Sequence, residues 1–252
     1  MSRSDMIGSV IDRINKVIDR FSASNTTSKA LHMGALLLAF NAMSMVAASV
    51  AAAQTADVRP IKIVAFGDSL SAGFQLAPSA AFPQVLGKAL AAKGYNVDVI
   101  NASVSGDTTA AGRDRLDWSM PPDADAVILE LGANDALRAL DPAKARANIE
   151  AIIATLKARK IDVLLGGMLA PRSLGEPYTK AFDAIYPELA AKYDLPLYPF
   201  FIDKIAFKPK LNLADGMHPN AKGVEAIVAD ILPKVEELIG RVRARRLAAA
   251  KQ

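Results

Sequence analysis

The sequence predicts an α/β protein, a three-layer α/β/α sandwich around a central parallel sheet of about five strands. Past residue 60, short apolar runs of strand length alternate with stretches whose apolar residues recur at helical spacing. Strands separated by helices favour parallel pairing and right-handed crossovers, which place helices on both faces. The composition agrees: 252 residues, 52% apolar and 22% charged, suffice for one well-buried domain and an appendage.

Ile61–Phe66 reads as the first strand and ends at Gly67. Phe82, Val85, Leu86, Ala89 and Leu90 follow at helical spacing, with Gly94 as a stop. Val97–Val104 reads as the second strand and Ala126–Leu131 as the third. Asp141-Pro142 is an N-cap followed by proline at the first helical position, opening a helix with Ile149, Ile152, Ile153 and Leu156 on its inner face. Ile161–Leu165 and the short Leu195–Tyr198 read as strands four and five. Helices are expected from about Tyr178 to Lys192 and from about Ala221 to Arg243, and no internal repeat is visible.

Residues 1–53 differ in character. Arg3, Arg13, Lys16, Arg20 and Lys29 precede an uncharged stretch, Ala30–Ala53, that ends Ala51-Ala52-Ala53-Gln54. This reads as an export signal cleaved near Ala53. The stretch also approaches the roughly 20 residues that cross a bilayer, so an uncleaved membrane anchor is the alternative. A start at Met33 would give a more ordinary signal with little positive charge ahead of it. Either way the positive-inside tendency places the following domain outside the cytoplasm, in the periplasm. Membrane contact is expected, if anywhere, through this segment. Residues 54–60 read as a linker, 61–240 as the folded domain and 241–252 as a basic tail. Arg241, Arg243, Arg245 and Arg246 in that tail suggest a solvated helix end, with contact to an anionic surface as the alternative.

Composition excludes several chemistries. There is no cysteine, hence no thiol nucleophile, disulfide or thiolate metal site. His32 and His218 are the two histidines, so a multi-histidine metal site cannot be built, and no metal or other cofactor is expected. Beyond residue 53 there are 25 basic and 23 acidic residues, which is no footprint for nucleic acid. Neither G-x-G-x-x-G nor G-x-x-x-x-G-K-[ST] follows the first strand, which disfavours nucleotide binding. Ser69 also lacks the G-x-S-x-G elbow of the ordinary α/β-hydrolases.

Ligands of such sheets bind beyond the carboxyl ends of the strands, so the residues after each strand are where chemistry is sought. The first strand delivers Gly67-Asp68-Ser69-Leu70, the second runs into Ser105-Gly106-Asp107-Thr108, and the third ends in Gly132-Ala133-Asn134-Asp135. Taken singly, Ser69 reads as an N-cap, Gly106 as a turn glycine and Asn134 as a cap. The block Asp215-Gly216-Met217-His218-Pro219-Asn220 changes that balance, because it holds the domain's one histidine three residues after an aspartate. In a tight turn this spacing lets the carboxylate accept from one ring nitrogen while the other faces the serine. A serine hydroxyl needs such an oriented base to become a nucleophile.

Together these four blocks resemble the SGNH (GDSL) hydrolases, and within them the bacterial arylesterase, thioesterase and lysophospholipase group. The resemblance covers roughly Ile61 to Leu238. It extends to the Tyr178…Phe182…Tyr186-Pro187-Glu188-Leu189-Ala190 pattern and to Tyr198-Pro199-Phe200-Phe201. It implies the flavodoxin-like SGNH fold and a serine esterase of small-molecule carboxylic esters, with thioesters as the further substrate class. It further implies Ser69 as nucleophile, His218 as base and Asp215 as its orienting acid. The oxyanion hole would comprise the Ser69 amide, the Gly106 amide and the Asn134 side chain. Ala133, where relatives often carry glycine, and Arg172-Ser173, where they often carry an asparagine-containing loop, depart from the pattern near the acyl pocket. A carbohydrate O-deacetylase of the same superfamily is the alternative enzyme. A non-catalytic binding protein on this scaffold would be expected to lack the serine or histidine, and both are present. Leu137, Leu140, Leu174 and Met217 are read equally as lining an apolar groove or as core.

Overall fold

The structure, a computed structural model, describes Lys16 and residues 59–251. The expected signal or anchor in residues 1–53, Lys16 apart, and residues 54–58 of the linker lie outside the described residues.

Five strands, β1 (Ile61–Gly67), β2 (Val97–Asn101), β3 (Ala126–Glu130), β4 (Asp162–Gly166) and β5 (Leu197–Tyr198), form one sheet in the order β2-β1-β3-β4-β5. Every neighbouring pair is parallel. The expected α/β sandwich is therefore the observed fold. Central β3, Ala-Val-Ile-Leu-Glu, is buried at every position, as an inner strand covered on both faces must be. Edge strand β2 stays partly exposed.

Eight helices accompany the sheet among the described residues: α1 (Ser69–Ala72), α2 (Phe82–Ala92), α3 (Thr109–Ser119), α4 (Ala133–Leu137), α5 (Pro142–Ala158), α6 (Glu176–Asp183), α7 (Ile185–Tyr193) and α8 (Ala221–Ala249). α2 packs on α8, while α3 packs on α5 and α5 on α6 and α7. Right-handed crossovers explain this division. The chain steps from β1 to β2, then doubles back past β1 to β3, so α2 and α3 cover opposite faces. The reversal opens a crevice at the carboxyl ends of β1 and β3. The loops leaving those strands begin with Asp68 and Leu131.

Several boundaries differ from the sequence reading. β2 stops at Asn101, three residues early: the Ala102 and Val104 amides still reach the Ala65 and Gly67 carbonyls, but the Gly67 amide donates to Ser103 Oγ at 3.1 Å and the Ala102 carbonyl accepts from Arg115, which ends the regular ladder. β5 begins only at Leu197: Pro196 has no N–H, and the Leu195 amide is spent on the Ala190 carbonyl at 2.9 Å. The helix expected over Tyr178–Lys192 is two, α6 and α7, joined at Ala184. α3 was not foreseen, because its buried face is Thr109, Gly112, Arg115 and Leu116 rather than an apolar stripe. α8 continues past Arg243 to Ala249.

That extension gives the C-terminal arginines partners. Arg246 and Arg59 clasp Asp125 at 2.7 and 2.6 Å, and Arg245 reaches Asp162 at 2.9 Å. The Lys62 amide donates to the same Asp125 at 2.9 Å. Burial opposes the Asp125 charge, yet Arg246, the Lys62 amide and Arg59 overcome it and hold the carboxyl below its ordinary value. The arginines therefore fasten α8 to the amino-terminal end of the sheet, opposite the crevice.

Candidate active site

Gly67 ends β1 where the backbone passes so close to Glu130 that a Cβ would lie 2.5 Å from its Oε2. The next residue, Asp68, caps α1 by accepting from the Leu70 amide at 3.0 Å. The N-cap is thus Asp68, not Ser69. Ser69 becomes the first helical residue, where backbone N–H groups have no intrahelical acceptor and face outward.

His218 comes from the other end of the chain, and its Nε2 lies 2.8 Å from Ser69 Oγ. Asp215 shapes the loop that delivers it. Its Oδ1 accepts from the amides of Met217 and His218 at 2.9 and 3.0 Å, while Oδ2 stands 2.7 Å from His218 Nδ1. Those two amides, His218 first, and then the imidazole hold the Asp215 carboxyl down to about 2. Phe74 backs the imidazole, ring centroids 4.4 Å apart. An isolated bridge between Asn212 and Pro219 and the Asn220 cap of α8 fix the two stems of the loop.

Asn134 lies in α4, directly after β3. Its Nδ2 donates to Asp68 Oδ2 at 3.1 Å and to the Asp107 carbonyl at 2.9 Å. Both N–H groups are thus engaged, and the side chain lines the same cavity as Ser69 and His218. Gly106 adopts φ +89, a left-handed conformation that favours glycine, and a Cβ there would meet nothing within 4 Å. Its backbone therefore borders open space, and its carbonyl accepts from Arg138 at 3.0 Å.

Three buried charged residues that the sequence reading did not single out support these groups. Arg115 spans the gap between the first two blocks: it meets Asp107 at 2.5 Å, the Ala102 carbonyl at 2.6 Å and the Gly67 carbonyl at 3.1 Å. Its guanidinium lies 4.0 Å over the Phe66 ring. Behind the serine, Glu130 Oε2 accepts from Ser71 Oγ at 2.8 Å, and its Oε1 has no partner. Burial first, and then the charge of Asp68, push the Glu130 carboxyl well above its usual range. Burial likewise raises Asp68 to about 6, against the pull of the Leu70 amide, Asn134 and His218. A carboxyl inside an apolar strand was a visible signal for Glu130.

Ser69, Asn134 and His218 open onto a cavity of about 570 Å³ whose far walls include Met168, Phe200, Ile202 and Ile205. Leu137 and Met217 line it, half-exposed, whereas Leu140 and Leu174 lie outside its lining. Arg172, at its edge, pairs with Asp183 at 2.6 Å. An oriented imidazole on a hydroxyl beside an apolar cavity suits acyl transfer.

Comparison with known proteins agrees. A profile described as the GDSL-like Lipase/Acylhydrolase family matches residues 65–226. Thioesterase 1/protease 1/lysophospholipase L1 of Escherichia coli is 38% identical over 68% of this chain and 81% of that protein. Esterase TesA of Pseudomonas aeruginosa is 34% identical over 82% of this chain and all of that protein. The crystal structure of AlinE4, an SGNH-hydrolase family esterase, is 47% identical over 71% of this chain and 96% of that one, with a TM-score of 0.60. With more than half of its length inside that profile, the chain belongs to the GDSL-like lipase/acylhydrolase family and is an ester hydrolase.

Proposed function

We propose that this enzyme hydrolyses carboxylic esters of apolar acyl or aryl groups, thioesters included, through Ser69, His218 and Asp215. The observation that carries this is the continuous relay from Asp215 through the one imidazole of residues 59–251 to the Ser69 hydroxyl, at 2.7 and 2.8 Å. Asp215, held ionised, accepts the Nδ1 proton, which leaves Nε2 unprotonated and aimed at the hydroxyl. Ser69 Oγ attacks the carbonyl carbon as its proton passes to His218. The tetrahedral oxyanion is met by the Ser69 amide at the start of α1 and by the Gly106 amide. Asn134 joins them when one of its N–H groups turns from Asp107 or Asp68 to the oxyanion. His218 then protonates the departing alcohol or thiol. Water, activated by the same imidazole, releases the acid from Ser69.

The cavity supports an apolar acyl group over an acetylated sugar, since its walls are methionine, isoleucine and phenylalanine rather than an array of donors and acceptors for a polyol. A series of p-nitrophenyl esters of increasing chain length, set against acetylated sugars, tests this reading. Turnover rising towards medium or long chains is expected, and a preference for acetylated sugars would replace it with the deacetylase alternative. A fluorophosphonate probe should label the protein at Ser69. The charged flank and apolar run of residues 1–53 support export to the periplasm with cleavage near Ala53, or anchoring with the domain on the same side. There, lysophospholipid or aryl esters are more accessible than cytosolic acyl thioesters. Fractionation of cells expressing the full chain checks the compartment.

A further inference from the structure

Eight large apolar side chains are exposed among the described residues, and four of them, Leu137, Leu169, Phe207 and Met217, gather around one cavity. Phe207 is 100% exposed, and its φ of +59 is left-handed, a conformation unfavourable for a bulky side chain. Among the described residues none shields that ring from water. The chain around it, Asp203-Lys204-Ile205-Ala206-Phe207-Lys208-Pro209-Lys210, carries a net charge of +2. Lys204 is neutralised by Asp203 and Asp230 at 3.1 and 3.3 Å, whereas Lys208 and Lys210 are exposed on either side of Pro209, next to the ring. The Lys208 ammonium touches only a carbonyl, that of Lys204, at 2.8 Å.

We propose that this rim docks on an anionic phospholipid membrane, with Phe207 entering the acyl region and Lys208 and Lys210 meeting lipid phosphates, so that the cavity opens towards lipid. The inference rests on the hydrolase reading for its purpose but not for its physics. Four exposed apolar side chains gathered at one cavity mark a membrane or ligand contact, and the lysines flanking Phe207 select a negatively charged partner. A second copy of this chain is a poor occupant, because a two-fold contact would set the same lysines against each other. A soluble polyanion would satisfy the lysines and leave the ring in water. A lipid interface satisfies both.

The test uses the full chain carrying Trp118→Phe and Phe207→Trp. Trp118 is the sole tryptophan and is 77% exposed, so its loss leaves the core intact and makes position 207 the one fluorescent reporter. With vesicles containing phosphatidylglycerol, the emission should shift to the blue and be quenched by lipids brominated along the acyl chain. Pure phosphatidylcholine should produce little shift. Adding Lys208→Glu and Lys210→Glu should raise the lipid concentration needed by about tenfold or more. The same two charge reversals in the otherwise unaltered chain should leave hydrolysis of soluble p-nitrophenyl butyrate unchanged, as neither residue lines the cavity. Vesicle-bound protein with an unshifted reporter would show attachment through another segment and overturn the proposal. A reporter already blue without vesicles, or a shift indifferent to lipid charge, would overturn it too. Soluble-ester hydrolysis without any shift refutes the docking alone; a shift without hydrolysis or fluorophosphonate labelling refutes the enzymatic reading and not the docking.

Discussion

Asp68 holds the side chain of Asn134 with a carboxyl whose own charge is set by burial. In the fold it titrates at about 6 rather than 3.8, and Glu130 beside it is raised as well. Both groups therefore keep protons in the native state that the unfolded chain releases. The contribution of Asp68 to stability is full below about 3.8 and is lost as pH rises through about 6, and that of Glu130 is lost in the same direction. Thermal unfolding between pH 4 and 7 should show the wild type losing stability relative to Asp68→Asn as the pH increases, and parallel curves would contradict this. Asp215 runs the other way. Its carboxyl is lowered to about 2, so its contribution is present at neutral pH and disappears only as pH falls from 3.8 towards 2. For turnover, Asn134→Ala should lower kcat by about 10²–10³-fold. Ser69→Ala should abolish fluorophosphonate labelling and all but a small residue of hydrolysis. A Ser69→Ala protein with near-normal turnover would remove the basis of the mechanism.

At the scale of elements, the site depends on joints between a strand end and the helix beyond it. Gly132, between β3 and α4, adopts φ +120, and a Cβ there would lie 2.1 Å from the Tyr186 hydroxyl of α7, which itself donates to the Leu131 carbonyl at 2.8 Å. Gly132→Ala should cost about 1–3 kcal/mol from the backbone conformation alone, with the clash added. Adding Tyr186→Phe should recover only a part, because φ stays unfavourable and the Leu131 carbonyl loses its partner. Chemical unfolding of the single and double variants measures that coupling. The second joint is Arg115 on α3, 6% exposed and paired with Asp107. Removing one partner of a buried pair leaves the other uncompensated, so Arg115→Met should cost about 3–5 kcal/mol. It should also lower kcat, since the Asp107 carbonyl and Gly106 are held by the same loop. Neither joint was legible in the sequence: α3 carries no apolar stripe, and a glycine's contact with a helix some fifty residues onward has no local signature.

For the molecule as a whole, the sheet has two working ends. The carboxyl end carries Ser69 and Asn134, with His218 brought against Ser69. The amino end is clamped by Asp125, Asp162 and the arginines of α8, with Val242 fully buried between sheet and helix. Removal of residues 241–252 should lower the thermal midpoint markedly while leaving the KM for a small ester near its original value at low temperature. An unchanged midpoint would restore the view of those residues as a solvated tail. The strand and helix order was readable in advance because burial on both faces demands continuous apolar runs such as β3, and because crossovers leave helical periods between them. The depth of α8 was not, since four arginines at a chain end look alike whether they meet water or buried carboxylates.

What the sequence by itself determined was the list of chemical parts and the ends of the strands on which they ride. Local propensity and residue type suffice for that. One histidine in the folded domain, one aspartate three residues before it and a serine after the first strand leave few arrangements for acyl chemistry. Only the tertiary structure decided which atoms meet. It assigned Asp68 and not Ser69 to the cap, tied Asn134 to Asp68 and Asp107, and buried the Glu130 carboxyl, its pKa raised, behind the serine. It also set Phe207 and its lysines at the cavity rim. Each of these depends on contacts between residues far apart in the chain, and the free energy of burying a charge or exposing a ring exists only once the surrounding fold does.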